Sequence, residues 1–456
     1  MCGISGVISL SGAPVEGETI ERMRDLVTHR GPDGRGLYLS EDARVGLGHT
    51  RLSIQDPTPA GHQPMANHDE SIWITFNGEI FNFPELKQRL IQLGYRFRSN
   101  CDTEAIIYLY EEYGDDCLQM LNGQFAFVIW DNRKKRVLAA RDRVGIRPFY
   151  YSLHQEQFVF GSELKSVLSV VGRGAVDEGA ISDFLVLQYV PSPNTIYRHI
   201  RKLEAGTCIV IEQGDVHVRR YWRPEPRYSS GESEGQLLDR LDDLLSQSVD
   251  RQQISDVPLG MFLSGGVDST TILAYMAQTS GQPVKAYSVG FEEEGYNELP
   301  YATLAAERIP NVEHHKVVLR AKDAYGLIQD LIGALDEPFA DQAIVPTYLM
   351  SRFAKESVTV CLSGEGADEI FGGYDRYHSA LQAHDTYKTA TRFNPELNDE
   401  FSKSLRLGYN DYMQNICSFK MDELPDILVN DSGKGDARGR LKSYYENMST
   451  ADELER

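Results

Sequence analysis

No apolar run in this chain approaches the roughly 20 residues that a membrane-spanning helix needs. The opening stretch, MCGISGVISLSG, lacks the basic region of a signal peptide and reads instead as a first strand. The six cysteines (Cys2, Cys101, Cys117, Cys208, Cys361 and Cys417) are scattered, and none forms a CxxC pair. A zinc site is therefore not expected, and reduced thiols in a cytoplasmic protein are. Positive charge is in short supply: 46 Lys and Arg stand against 67 Asp and Glu, a formal net charge of -21. That balance argues against a nucleic-acid or anionic-membrane partner. The chain also lacks a GxxxxGK[ST] run, internal repeats and low-complexity tracts.

What is present suggests two or three domains, at about 100–200 residues each, within 456 residues. Residues 1–210 read as short strands rich in β-branched and aromatic residues, among them SIWITFNGEIF, QFAFVIWD, RVLAARD, PFYYSL and QFVFGSE. Two helical stretches interrupt them, PELKQRLIQLG and DTEAIIYLYEEYG. The expected fold is α+β, with stacked antiparallel sheets and helices outside. Residues 211–235 collect Pro, Gly, Ser and Arg and read as a linker. From 236 to 456 strands alternate with helices: VPLGMFL, KAYSVGF and VTVCLSG are buried-strand candidates, and GQLLDRLDDLLSQSVDRQ and DSTTILAYMAQ are helices. That alternation implies an α/β half with a parallel sheet covered on both faces. Ligands of such sheets bind beyond the carboxyl ends of the strands.

The first candidate site starts at Cys2. With Met1 removed, Cys2 carries a thiol and a free α-amine, whose pKa near ~8 lets it take up the thiol proton. Such a nucleophile serves as its own base, without a histidine. Four further stretches add binding groups: HRGPDG (29–34), RLSIQD (51–56), NGEIFN (77–82) and SNCDTE (99–104). Together they offer a carboxylate clamp, an oxyanion hole and an amine acceptor.

MCGI, HRGPDG, RLSI, NGEI, CDTE (Cys101 standing where Ser is usual) and RDRVGIRPFYY occur in this order. On these motifs residues 1–210 resemble a class II glutamine amidotransferase domain of the N-terminal-nucleophile type. The resemblance implies that Cys2 attacks the side-chain amide of glutamine, with Asn77 and the Gly78 amide stabilising the oxyanion. It implies a glutamine pocket formed by Arg51, Leu52, Ser53, Ile54, Gln55, Asn77, Gly78, Glu79 and Asp102. Arg51 holds the α-carboxylate and Asp102 the α-amine.

The second candidate site is SGGVDST (264–270), which follows the strand VPLGMFL and opens a helix. Its glycines, the hydroxyls of Ser264 and Ser269, and the helix N-terminus make an anion nest without the lysine of a Walker loop. A second glycine loop, LSGEGADEIFGGY (362–374), follows VTVCL and crowds Glu365, Asp368 and Glu369 together. Clustered carboxylates call for a metal or a cationic amine. SGGVDST resembles the PP-loop of ATP pyrophosphatases. Both loops and DEPFADQAIVPTYLMSR (336–352) resemble the synthetase half of asparagine synthetases, so the resemblance covers essentially the whole chain. It implies that Leu263 and Val289 flank adenine, and that Ser264, Gly265, Gly266, Asp268, Ser269, Ser363 and Gly364 contact ATP. Glu365 would assist formation of a β-aspartyl adenylate, and Asp268 and Asp368 would hold Mg²⁺.

The implied small-molecule partners are glutamine, aspartate and ATP, with an internal tunnel carrying ammonia between the two sites; the resemblance also admits a homodimer. Three alternatives stay open. The acceptor is a sugar acid rather than aspartate, a reading sharpened by Gln342, where some asparagine synthetases carry arginine. The chain is a non-catalytic glutamine or nucleotide sensor, against which the intact Cys2, Asp268 and Glu365 weigh. Or it is a β-lactam synthetase, a scaffold that has lost the N-terminal cysteine. Finally, Ser449 or Thr450 in the ending STADELER signals a helix start with only six residues after Thr450. Isolated helices below ~12–15 residues are marginal. The expectation is a synthetase half that is C-terminally incomplete, without the family's phosphate-facing lysine.

Overall fold

A computed structural model describes residues 1–225, 231–292, 295 and 297–379. Three sheets organise them. The first has six strands in the order β10-β8-β9-β1-β3-β2. Its members are β1 (Gly3–Ser9), β2 (Gly34–Leu39), β3 (Val45–Arg51), β8 (Tyr150–His154), β9 (Gln157–Gly161) and β10 (Arg201–Lys202). The second runs β12-β11-β7-β6-β5-β4. Its members are β4 (Met65–Ala66), β5 (Ile72–Ile80), β6 (Gly123–Asp131), β7 (Arg136–Arg141), β11 (Thr207–Glu212) and β12 (Asp215–Arg220). All pairings within these two sheets are antiparallel.

The period of two along each strand decides how these sheets stack. In β6, Ala126, Val128 and Trp130 point toward the first sheet and pack with Ile4, Ile8, Val45 and Leu47. The alternate residues Phe125, Phe127 and Ile129 face α2 (Phe83–Gln92) and α3 (Asp102–Tyr113). On the far side of the first sheet, Val7 and Val159 pack on α1 (Gly17–Asp25) and α5 (Leu164–Val171) through Ile20, Met23, Leu164 and Val167. The result is four layers, helix–sheet–sheet–helix. Each fully buried side chain of this kind contributes about 1.5–3 kcal/mol. The short helices α1 and α5, together with α4 (Cys117–Met120) and α6 (Glu178–Leu187), add to the two helical stretches expected from sequence.

The third sheet is parallel, in the order β15-β14-β13-β16: β13 (Leu259–Phe262), β14 (Val284–Phe291), β15 (Val312–Leu319) and β16 (Val360–Leu362). α7 (Glu234–Gln252), α8 (Val267–Thr279) and α9 (Leu299–Arg308) cover one face through Val249, Leu273, Met276, Ala302 and Ala305. α11 (Ile344–Ala354) follows α10 (Ala321–Ala334) and covers the other through Phe353 and Ala354, which pack on Tyr287; α12 (Ala367–Phe371) follows β16. The α+β and α/β halves thus stand as read. Two of the strands that the reading did not mark lie on sheet edges. β12 occupies part of the span taken as a linker, and its mostly exposed residues leave little apolar pattern to read. β15, in VEHHKVVL, is half polar and partly exposed. The ending around Ser449 and Thr450, and Cys417, lie outside the described residues.

The two halves touch at named points. Asp256, just before β13, donates its backbone N–H to the Ile54 carbonyl (3.0 Å), and its carboxylate accepts from the Asp56 N–H (2.8 Å). Lys202 pairs with Glu337 at 2.6 Å, and the Ala340 N–H bonds the Gln188 carbonyl at 2.9 Å. Among the described residues no helix is long and apolar enough to cross a membrane.

Candidate active sites

Pairing of β1 with β3 sets the first site. Gly3 lies opposite Thr50, so Cys2 falls beside Arg51 and Leu52. The Leu52 N–H points at the Cys2 sulfur, 3.4 Å away. Burial raises the Cys2 thiol above its usual range, while the neighbouring α-amine, the Leu52 amide and Arg51 oppose that shift. The α-amine here belongs to Met1. Burial lowers its pKa to about 5, so it is a neutral proton acceptor at neutral pH. Removal of Met1 transfers that role to the nitrogen of Cys2 itself.

Opposite the thiol stands the end of β5. Asn77 is fully buried, and neither its Oδ1 nor its Nδ2 finds a partner among the described residues. A buried unpaired amide costs about 1–3 kcal/mol, so a position like this is held for a ligand. Gly78 lies so close to β6 that a Cβ would come 2.1 Å from the Gln124 carbonyl oxygen. Only glycine leaves the strand straight there. Asp102, at the first turn of α3, is buried and accepts from the Ile80 N–H at 2.8 Å. Burial pushes its pKa up to about 6. Glu79 rises further, to about 7, by burial and by the nearby Asp102, against the pull of Arg147.

The remaining glutamine-site residues read from sequence also gather here, though not all with free groups. Cys2, Arg51, Leu52, Ile54, Gln55, Asn77, Gly78, Glu79 and Asp102 line one pocket. Ser53 is beside it, its N–H held by Asp33 at 2.8 Å. Arg51 is buried, and its Nη atoms donate to the carbonyls of Thr58 (2.9 Å), Gln55 (3.1 Å) and Asp56 (2.5 Å). It therefore shapes the loop over the pocket and keeps two of the five guanidinium N–H groups in hand. Sequence reasoning missed Gln63, Thr103, Arg30 and Arg147. Gln63 bridges Thr103 (3.1 Å) and the Phe76 N–H (2.8 Å), and nothing in the sequence marks it. Arg30 and Arg147 sat inside HRGPDG and RDRVGIRPFYY without a role. Arg30 Nε bonds the Cys2 carbonyl at 2.9 Å, and Arg147 lines the pocket.

The second site forms at the carboxyl ends of β13 and β16, which are neighbours. Gly265 has φ +87°, and a Cβ there would lie 2.3 Å from the Ala302 N–H nitrogen, so the turn after β13 requires glycine. Ser264 Oγ and Ser269 Oγ are 3.0 Å apart, and the Gly266 N–H donates to Ser264 Oγ at 3.2 Å. Gly266 precedes α8, and no side chain caps that helix start. Leu263 is buried, its carbonyl accepting from Ser288 Oγ at 2.6 Å, and Val289 lies at the carboxyl end of β14. The second loop closes on the first: a Cβ at Gly364 would meet the Ser269 nitrogen at 2.9 Å and Asp268 Cβ at 3.0 Å. Ser363 precedes Gly364, and Glu365 is exposed at the turn. Asp368 opens α12. Its neighbour Glu369 accepts from Tyr374 Oη at 2.8 Å, so one carboxylate of the crowd is partly satisfied. Among the described residues no three His, Cys, Asp or Glu side chains assemble as a metal cluster. Asp268 and Asp368 are nonetheless carboxylates of the kind magnesium takes, one or two of them at a time with phosphate and water oxygens completing the set.

The first half, two stacked antiparallel sheets between helices, is of the glutamine amidotransferase class, and it is joined to an α/β half built on a parallel sheet. A family model described as a glutamine amidotransferase domain matches residues 1–222, and one described as asparagine synthase matches residues 240–446. The chain is 37% identical over 395 residues to a putative asparagine synthetase (glutamine-hydrolyzing) 2 of Methanocaldococcus jannaschii, covering 82% of this chain and 76% of that protein. The chain belongs to the glutamine-hydrolysing asparagine synthetase family. It is also 37% identical over 385 residues to asparagine synthetase (glutamine-hydrolyzing) 1 of Bacillus subtilis, covering 84% of this chain and spanning 60% of the length of that relative. Amidase chry2 of Gibberella zeae is 30% identical over 408 residues, covering 83% of this chain and 60% of that protein.

Proposed function

We propose that this chain makes asparagine from aspartate, ATP and glutamine. The observation that carries the glutaminase step is Asn77, a buried amide lining the pocket of Cys2 with no partner among the described residues. The Cys2 thiol gives its proton to the adjacent α-amine and attacks the side-chain amide carbon of glutamine. Asn77 Nδ2 and the Gly78 N–H hold the resulting oxyanion. The protonated amine returns its proton to the leaving nitrogen, and ammonia departs from a thioester. Water, deprotonated by the same amine, then cleaves the thioester to glutamate and frees the thiol. The remaining donors of Arg51 bind the α-carboxylate of glutamine and Asp102 its ammonium.

In the second half, Ser264, Gly265, Gly266 and Ser269, together with Ser363 and Gly364, cradle the phosphates of ATP, and Leu263 and Val289 border its adenine. Asp268 and Asp368 would hold Mg²⁺, which supplies neutralising charge to the departing pyrophosphate. The β-carboxylate of aspartate attacks the α-phosphorus, pyrophosphate leaves, and Glu365 assists. Ammonia attacks the acyl carbon of the adenylate, AMP leaves, and the surplus proton passes to solvent or to Glu365. This reading treats residues 1–210 and 236–456 as functional halves of one cytoplasmic enzyme.

Amidation of a sugar acid keeps every step but the acceptor. Gln342, exposed and without the charge of an arginine, is the residue that favours it. A pyrophosphate-release assay with ATP decides between the two. Release that depends on aspartate supports asparagine synthesis, and release only with a uronic-acid nucleotide replaces it. No release with either overturns both.

A further inference from the structure

The Cys2 residue is tied to the synthetase half by an unbroken run of charged contacts. Arg30 Nε donates to the Cys2 carbonyl at 2.9 Å. The same guanidinium donates through Nη1 to Glu163 Oε1 at 3.0 Å. Glu163 Oε2 pairs with Lys165 Nζ at 3.0 Å, and Lys165 Nζ pairs with Asp336 Oδ1 at 3.2 Å. Asp336 begins the segment DEPF of the synthetase half. It reaches across a second time, because its Oδ2 accepts the backbone N–H of Lys165 at 2.8 Å. Lys165 lies in the first turn of α5, whose own N-cap residue, Glu163, makes no capping bond. The start of a helix in one half is thus capped from the other.

Burial gives this run its stiffness. The side chains of Arg30, Glu163 and Asp336 are 9%, 13% and 13% exposed, and that of Lys165 is 25% exposed. Charged groups that far from solvent are weakly screened and costly to leave unpaired. Removing one member therefore obliges its neighbours to reorient. Burial works to raise the pKa of Glu163, but Arg30, Lys165 and His29 more than offset it and hold the group ionised. His29 Nε2 is 2.8 Å from Glu163 Oε1 and competes with Arg30 for the same oxygen. Without Lys165, that competition decides where Arg30 points.

We infer that Asp336 and Lys165 are positioning residues for the nucleophile: through Glu163 and Arg30, the docked synthetase half sets the backbone of Cys2. The inference rests on Cys2 being the nucleophile. It predicts a loss in the chemical step and not in glutamine binding, because Arg51 and Asp102 lie outside the run.

The experiment compares Lys165→Met, Lys165→Arg and Asp336→Asn with a matched control, Lys202→Met. Lys202 makes a still more buried pair with Glu337 across the same interface, at 2.6 Å, but no contact joins it to Arg30 among the described residues. Two readouts are taken on the full chain: the rate of Cys2 alkylation by iodoacetamide, followed on the N-terminal peptide by mass spectrometry, and kcat and KM for glutamine hydrolysis. Lys165→Met and Asp336→Asn are expected to slow alkylation at least fivefold and to lower kcat at least tenfold, with KM within twofold. Lys165→Arg restores both values, and Lys202→Met changes neither by more than twofold. Unchanged alkylation and kcat in Lys165→Met and Asp336→Asn overturn the inference, as does an equal loss in Lys202→Met. Should Lys165→Met fold poorly, Asp336→Asn keeps the side-chain shape and decides alone. Alkylation needs no glutamine chemistry, so a chain that releases no ammonia sinks the proposed function while the alkylation series still judges the network.

Discussion

The two halves solve the problem of holding a ligand in opposite ways. In the first, the polar groups that matter are side chains on strands or at the start of a buried helix: Asn77, Arg51 and Asp102 are 0%, 7% and 3% exposed. Their positions follow from the packing of a four-layer core. In the second, the proposed phosphate contacts come from two glycine turns, where Glu365 and Ser264 are exposed. A pocket of side chains inside a core tolerates a change of ligand group poorly but suits discrimination, because each unpaired buried group penalises a wrong substrate. A nest of amides binds any suitable phosphate and leaves discrimination to other residues.

If that contrast holds, the two sites fail separately. The largest effect is expected from Cys2→Ala. Glutamine hydrolysis falls to background, while ammonia-driven pyrophosphate release persists within about twofold. Loss of the ammonia-driven reaction as well would merge the sites that the contrast keeps apart. Paired ammonia-release and pyrophosphate assays measure it.

Gly265→Ala attacks the other half. At φ +87° and with the Ala302 nitrogen 2.3 Å from the new Cβ, the turn must shift. A strained left-handed alanine costs on the order of 1–3 kcal/mol, and the clash adds to it. ATP-dependent pyrophosphate release is expected to drop at least tenfold, with glutaminase kcat unchanged. Normal release would mean that the turn does not hold phosphate.

A smaller effect sharpens the contrast through pH. Burial holds the Asp102 pKa at about 6, above the ordinary carboxylate value. Below that pH the carboxyl is neutral and offers glutamine's ammonium no charge. Above it, the carboxylate is present and bound ammonium relieves its desolvation. KM for glutamine is therefore expected to rise as pH falls through about 6. Asp102→Asn should raise KM at pH 8 and flatten the rise. An identical pH profile in Asp102→Asn would remove Asp102 from the ammonium site. Glu79, raised to about 7 by burial and by Asp102, shifts downward in Asp102→Asn, so the test reads the loss of the Asp102 limb near 6 and not the whole profile.

Both halves were legible from sequence to different depths, for physical reasons. β5 and β6 alternate apolar residues on two buried faces, so their period of two and their β-branched and aromatic content announced them. β12 is an edge strand with mostly exposed residues, and β15 an edge strand of half-buried ones, so neither shows a clean alternation to read. The residues proposed for the two sites stand out in the sequence because strand ends and glycine turns place unusual residues in a fixed order. Gln63 was not, because its value lies in a bridge between Thr103 and Phe76 that only the fold creates. Nor could the sequence say that Arg51 spends three donors on the loop carbonyls of Gln55, Asp56 and Thr58.

The clasp between Asp256 and the loop at Ile54 and Asp56 has a consequence in time. Its partners lie 200 positions apart along the chain. At about 5–20 residues per second of synthesis, roughly 10–40 s separate the appearance of Asp56 from that of Asp256. The first half can pack its sheets in that interval, since domains fold as units while the rest is still being made. The rim of the Cys2 pocket nevertheless stays unlatched until Asp256 is present to bond the Ile54 carbonyl and the Asp56 N–H. Closing of the rim waits for translation to deliver the opening strand of the parallel sheet, so the maturation of one pocket is timed by the birth of the other.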